Sequence, residues 1–128
     1  HRIAVRFLDG RKMPTLEGVF NEFAKGFGFP SYFGSNTAAF DECLSDLSWI
    51  DADGYCGVIT TASDILTDAP HEFSWLHAQL IRICVEWSVP IKEAEPWDRP
   101  GKPFHFIMQV CHDSSNTVFP GIRELPRF

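Results

Sequence analysis

Between Gly26 and Ile81 the chain has no lysine and no arginine. The same stretch carries eight acids, Asp41, Glu42, Asp46, Asp51, Asp53, Asp64, Asp68 and Glu72. A segment of that kind cannot neutralise a phosphate backbone, which excludes nucleic acid as its ligand. All eleven Lys and Arg fall in the flanks, and the net charge is −6. Such a one-signed stretch steers a partner of the opposite sign, so the expected partner is a basic protein. Also missing is any apolar run near the roughly 18 residues of a membrane span, so no membrane partner is expected.

Other absences narrow the chemistry. The chain has no phosphate-cradling glycine loop, no nucleophile elbow, no repeats and no low-complexity segment. Asp51-Ala52-Asp53-Gly54 begins like a calcium loop but lacks the remaining ligands, including the terminal Glu, and reads as a turn. His71, His77, His105 and His112 lack metal-ligand spacing, and Cys111-His112 has no neighbouring ligand pair, so neither metal nor cofactor is expected. Cysteine is sparse: Cys43, Cys56, Cys84 and Cys111 are irregularly spaced within apolar segments. That pattern favours free buried thiols, although four cysteines allow three pairings. Reduced thiols point to a reducing compartment, so a cytoplasmic protein is expected.

What the chain has is core. Its 128 residues are 45% hydrophobic, with twelve Phe and four Trp, which suits one packed domain over residues 1–128. Ile3–Leu8 reads as a strand closed by the Asp9-Gly10 turn. Thr15 can cap a helix whose apolar positions Leu16, Val19, Phe20, Phe23 and Phe27 keep helical spacing, with Gly26 and Gly28 as its stop. Ser35 or Asn36 can cap a second helix running to about Leu47, with Phe40, Cys43, Leu44 and Leu47 inward. Tyr55–Thr60 predicts a second strand, residues 63–67 a short helix, and Phe73, Leu76, Leu80, Ile83, Cys84 and Trp87 the face of a long one.

Four prolines and a glycine make 88–103 an ordered but irregular loop, and Phe104–Val110 predicts a strand covered on both faces. Residues 111–128 read as a C-terminal extension beyond a core of about 3–110. Strands separated by helical segments imply an α/β fold with a small, mostly parallel, three-stranded sheet, because parallel neighbours need crossovers.

Residues 29–44 read Phe-Pro-Ser-Tyr-Phe-Gly-Ser-Asn-Thr-Ala-Ala-Phe-Asp-Glu-Cys-Leu. Pro30, Tyr32, Phe33, Gly34, Asn36, Cys43 and Leu44 match, in order and spacing, a motif of the barstar family, which this chain resembles over about residues 3–110. The resemblance implies a three-layer domain with about four helices. It also implies an immunity-type inhibitor, bacterial and cytoplasmic, that blocks a basic ribonuclease toxin one to one. The blocking elements would be the 30–36 loop and the helix after it, the helix carboxylates taking the place of RNA phosphates.

By that resemblance Glu42 matches the acid that enters the nuclease site, Tyr32 a contact aromatic and Asn36 a loop-ordering amide. Phe33 keeps a second ring, and Gly34 keeps a position where a side chain would obstruct turn or partner. Two positions depart from the pattern: Ala38 stands where the family has Asp, and Asp41 where it has Trp. Negative charge is therefore moved along the helix, where partner choice would be read. Ser45, Asp46 and Trp49 extend this candidate surface, and Glu86 on the long helix sits near a further family contact. Other readings stay open: packing for Phe33, capping alone for Asn36, solubility for Asp41 and Glu42. At the level of function the alternatives are a module binding a different basic protein, or a small hydrolase using Asp41 and Glu42.

Overall fold

The computed structural model describes residues 2–31 and 33–110, and the backbone of 122–124. Strand β1, Ile3–Asp9, leads through a single 3-10 turn into helix α1, Leu16–Phe27. Thr15 starts α1 by accepting a hydrogen bond from the Gly18 amide at 3.1 Å. Gly28 ends it in the left-handed region at φ 64°, where a glycine carries no Cβ penalty. Helix α2, Thr37–Asp46, follows, then strand β2, Gly54–Thr60. Helix α3, Phe73–Ser88, is entered through a 3-10 turn at Pro70–Glu72 and leads to β3, Phe104–Met108.

The strands lie in the order β1-β2-β3 and pair in parallel, Ala4 opposite Tyr55 and Tyr55 opposite Phe104. The expected three-stranded parallel sheet is present, and a short fourth strand, β4, Ile122–Glu124, adds to it in parallel beside β3. Three α-helices, not four, are present among the described residues. The fourth expected one, at 63–67, is a single 3-10 turn at Ala62–Asp64 that ends where Ile65 turns extended.

The expectation of three layers is also corrected. Phe27 of α1 and Trp87 of α3 both meet the Phe104 ring, at centroid distances of 5.8 and 6.4 Å, so the two helices pack on the same face of the sheet. That face carries Leu8, Tyr55, Ile59, Phe104, Phe106 and Met108, all buried. On the opposite face of edge strand β1, Ile3, Val5 and Phe7 remain 46%, 48% and 67% exposed. The domain is therefore two-layered among its described residues. β3 correspondingly alternates, with Phe104 and Phe106 buried and His105 exposed, instead of being covered on both faces. The period-two side-chain rule acts on one covered face.

The core is a run of aromatic edges. Phe23 meets Phe40 at 5.0 Å, Tyr55 meets Trp87 at 4.9 Å, and Phe20 bridges Phe40 and Trp75. Each such buried ring contributes roughly 1.5–3 kcal/mol through area removed from water. At Gly57 an added Cβ would lie 2.7 Å from the Phe106 ring, so the central strand needs a bare backbone there to admit the neighbouring aromatic. Cys43 is a buried free thiol and Cys56 a half-buried one; Cys84 is buried, and Cys111 lies outside the described residues. No helix among the described residues is long and apolar enough to cross a membrane.

Candidate functional site

The loop before α2 is ordered by its own polar groups. Asn36 Oδ1 accepts from the Ala39 amide at 2.8 Å, capping α2, and its Nδ2 donates to the Gly34 carbonyl at 3.4 Å. A Cβ on Gly34 would come within 3.0 Å of that amide nitrogen, so a larger residue would crowd the cap. Phe33 is half-buried, its ring edge-on to Phe29 at 5.0 Å and to Phe20 at 6.3 Å, which makes it the loop's anchor to α1. Tyr32 lies outside the described residues.

Trp49 is half-buried as well. Its indole donates to the Phe27 carbonyl at 2.8 Å and so satisfies the C-terminal end of α1.

Helix α2 turns Phe40, Cys43 and Leu44 inward and leaves Ala38, Glu42 and Asp46 exposed. Ala38 and Glu42 are four residues apart, as are Glu42 and Asp46, and form one stripe on the outer surface. Glu42 has no ion-pair partner among the described residues. Asp46 accepts from the Ser48 amide at 3.3 Å as the helix ends. Cys43, beneath them, has its thiol pushed above its usual value, chiefly by burial and further by the neighbouring Glu42 and Asp46 charges.

Asp41 and Glu86 stand differently. Arg82 of α3 pairs with Asp41 across the helix interface and with Glu86 one turn along its own helix at 3.0 Å. Gln79 accepts from the same guanidinium at 2.9 Å, and the Ser45 hydroxyl donates to Glu86 at 3.3 Å. The two helices thus run side by side, joined at residues 41 and 82 and again at 45 and 86. Sequence reasoning missed Arg82. It is the first basic residue after the Lys/Arg-free stretch, and at (i, i+4) spacing from Glu86 it could have been read as an intrahelical pair. Its reach to Asp41 has no sequence signal.

The C-terminal carbonyls of α2 are taken by two further residues. The Trp87 indole donates to the Leu44 carbonyl at 2.8 Å, and Arg99 donates to the Ser45 carbonyl at 2.8 Å. The Arg99 guanidinium also lies 3.4 Å over the Trp87 ring, a cation held on an aromatic face at a helix C-terminus. Burial lowers the pKa of Arg99 from its usual value, and the nearby Glu86 charge works against that shift.

The site residues thus divide into a stripe of exposed acid on α2, an acid–arginine network beside it, and a capped loop ahead of it. Among the described residues, no cluster of three His, Cys, Asp or Glu groups is placed to hold a metal ion. Fold and face together define a two-layer α/β domain that presents an acidic helix to its surroundings. The family model for barstar, described as barnase inhibitor, matches residues 3–109, and the chain belongs to the barstar family. That family is one of ribonuclease inhibitors. Neither a search of curated proteins nor one of solved structures returns a significant match.

Proposed function

We propose that this chain is an immunity-type inhibitor that occludes the active site of a basic ribonuclease, one to one, with the 30–36 loop and α2. The observation that carries the reading is the exposed stripe Ala38–Glu42–Asp46 on a helix capped at both ends. It offers carboxylates to a cationic phosphate-binding site on a scaffold that need not order itself on binding. Glu42 enters the nuclease site, with Asp46 at the rim and Gly34 and Asn36 shaping the loop. Within the family's range of partners, the pairing of Asp41 with Arg82 favours a target whose surface differs from barnase, because Asp41 is already engaged. The same pairing speaks against a hydrolase using Asp41 and Glu42, since a general base held by a guanidinium is a weak one. The setting that fits is the bacterial cytoplasm of a toxin producer.

The test is RNA cleavage by barnase and a panel of basic bacterial ribonucleases, including any encoded beside this chain, titrated with the purified protein. Stoichiometric loss of cleavage for at least one member is expected. Undiminished cleavage throughout at excess inhibitor overturns the reading. Glu42→Lys, at an exposed position, should keep the wild-type melting curve and weaken the complex by at least about 30-fold, as truncations and reversals at interface hot spots do. Wild-type affinity in that variant would show that α2 is not the contact.

A further inference from the structure

Residues 91–99 form a braced projection at the C-terminal end of α2. Ile91 and Arg99 exchange two backbone hydrogen bonds at 2.9 and 3.1 Å, closing the loop at its base. The Asp98 carboxylate accepts from the Glu93 amide at 2.9 Å and from the Ala94 amide at 2.8 Å. Ala94 is held at φ 57°, a conformation that a non-glycine residue keeps only when its surroundings over-determine it. At the tip, Trp97 is 60% exposed, yet its indole N–H donates to Glu93 Oε1 at 2.8 Å. A large ring is thus fixed in orientation and left in water.

The projection is not independent of the inhibitory face. Arg99, two residues from Trp97, is the residue that holds the Ser45 carbonyl at the end of α2, and Lys102 ties the base by donating its amide to the Trp87 carbonyl at 2.8 Å. Exposed Glu93 accepts from the indole N–H, and exposed Glu95 lies two residues before Trp97 in sequence; both share the sign of Glu42 and Asp46. An exposed indole face with a carboxylate at its edge is a receptor for a lysine or arginine side chain.

We propose that the 91–99 loop is a second contact element for the same basic protein that α2 engages, with Trp97 stacking on a cationic side chain of that partner. The inference rests on the function proposed above. Its occupant is one: the basic ribonuclease, whose footprint runs from the 30–36 loop along α2 to Trp97. A preoriented aromatic beside a charged stripe is the composition from which interface hot spots are drawn.

The experiment measures association and dissociation rates of wild type, Glu42→Lys and Trp97→Ala against barnase and the same ribonuclease panel, with sedimentation of each protein alone. Trp97→Ala should leave the melting curve unchanged, because the ring is exposed. It should weaken binding at least about 10-fold, mainly through faster dissociation. If Glu42→Lys loses binding while Trp97→Ala stays within two-fold of wild type, the loop inference is overturned and the α2 reading stands. If Trp97→Ala instead abolishes a self-associated form and leaves partner binding intact, the loop serves a second copy of the chain and the inference is again overturned. If wild type binds no member of the panel, the proposed function falls, and this inference with it.

Discussion

Arg99→Ala is the substitution that most directly tests how the acidic helix is held. The side chain donates to the Ser45 carbonyl at 2.8 Å and lies 3.4 Å over Trp87, so its loss removes a charge-assisted hydrogen bond and a partly buried cation–π contact. The hydrogen bond to a charged donor is worth roughly 1.5–3 kcal/mol when its acceptor stays dry, and less here because water can reach the vacated carbonyl. The cation–π contact adds about 1 kcal/mol at this intermediate burial. A loss of about 2–3 kcal/mol is expected. With unfolding entropy near 2.1 cal/mol/K per residue, that lowers the melting temperature of a chain this size by roughly 7–11 °C. Urea denaturation, followed by tryptophan fluorescence and by far-ultraviolet dichroism, should show a lower midpoint with an unchanged slope. Arg99→Lys keeps the charge without the planar fork and should recover only part of the loss. A loss below about 0.5 kcal/mol, the range of an ordinary surface substitution, would refute the reasoning.

Two further outcomes follow from the charges and the thiols. Arg82→Gln frees Asp41 and Glu86 from their shared cation; the half-exposed pairs cost about 1 kcal/mol together at most. Stopped-flow association with a ribonuclease that the wild type inhibits should become about two-fold faster at physiological salt and several-fold faster at 10 mM, as screening weakens; a slower rate would mean that Arg82 itself meets an acid on the partner. Burial pushes the Cys84 thiol up to about 12, so alkylation at pH 8 should require unfolding. The unfolded thiol ionises near 9 while the folded one keeps its proton, so this stabilisation is complete below pH 9 and is lost as pH rises toward 12. The urea midpoint should therefore fall over that window, and fall less steeply in Cys84→Ala; equal slopes would contradict the assignment.

Helices α1 and α2 were legible because each announces itself twice, by period and by cap, while α3 was legible by its period alone. Thr15 and Gly28 bracket the apolar series from Leu16 to Phe27, and Asn36 precedes Phe40, Cys43 and Leu44. The layer count was not legible. Phe104–Val110 is almost continuously apolar, and such a run predicts two covered faces, yet His105 is exposed and Ile3, Val5 and Phe7 on the edge strand stay open to solvent. Apolar content reports that a strand can be buried and not which of its faces is. The short strand β4, Ile122–Glu124, escaped for a related reason: three residues are too few to show a period. In the candidate site, Glu42 was singled out only by the family resemblance, whereas the capping role of Asn36 could be read from local pattern. Arg82 and Arg99 could not, because the acceptors they reach lie 41 and 54 residues away in sequence.

Those two arginines change what the charge segregation of the sequence means. A stretch of fifty-six residues without Lys or Arg suggests a uniformly acidic surface, but folding returns basic groups to it from both flanks. Arg2 pairs with Asp51 at 2.9 Å, Arg82 with Asp41, and Arg99 sits on the end of α2. Each neutralises an acid or a helix terminus that would otherwise add to self-repulsion. Glu42 has no ion-pair partner among the described residues, and Asp46 feels Arg99 only at longer range. On α2 the acids left without an ion pair among the described residues, Glu42 and Asp46, therefore fall on one stripe of the helix. If α2 is the contact, as proposed, such a stripe would give register as well as attraction, because a cationic cleft gains most when aligned with the unpaired Glu42. Under the proposed function, Arg82 would sharpen this alignment by neutralising Asp41 and Glu86 beside the stripe, so that Glu42 is the stronger attractor for a cation.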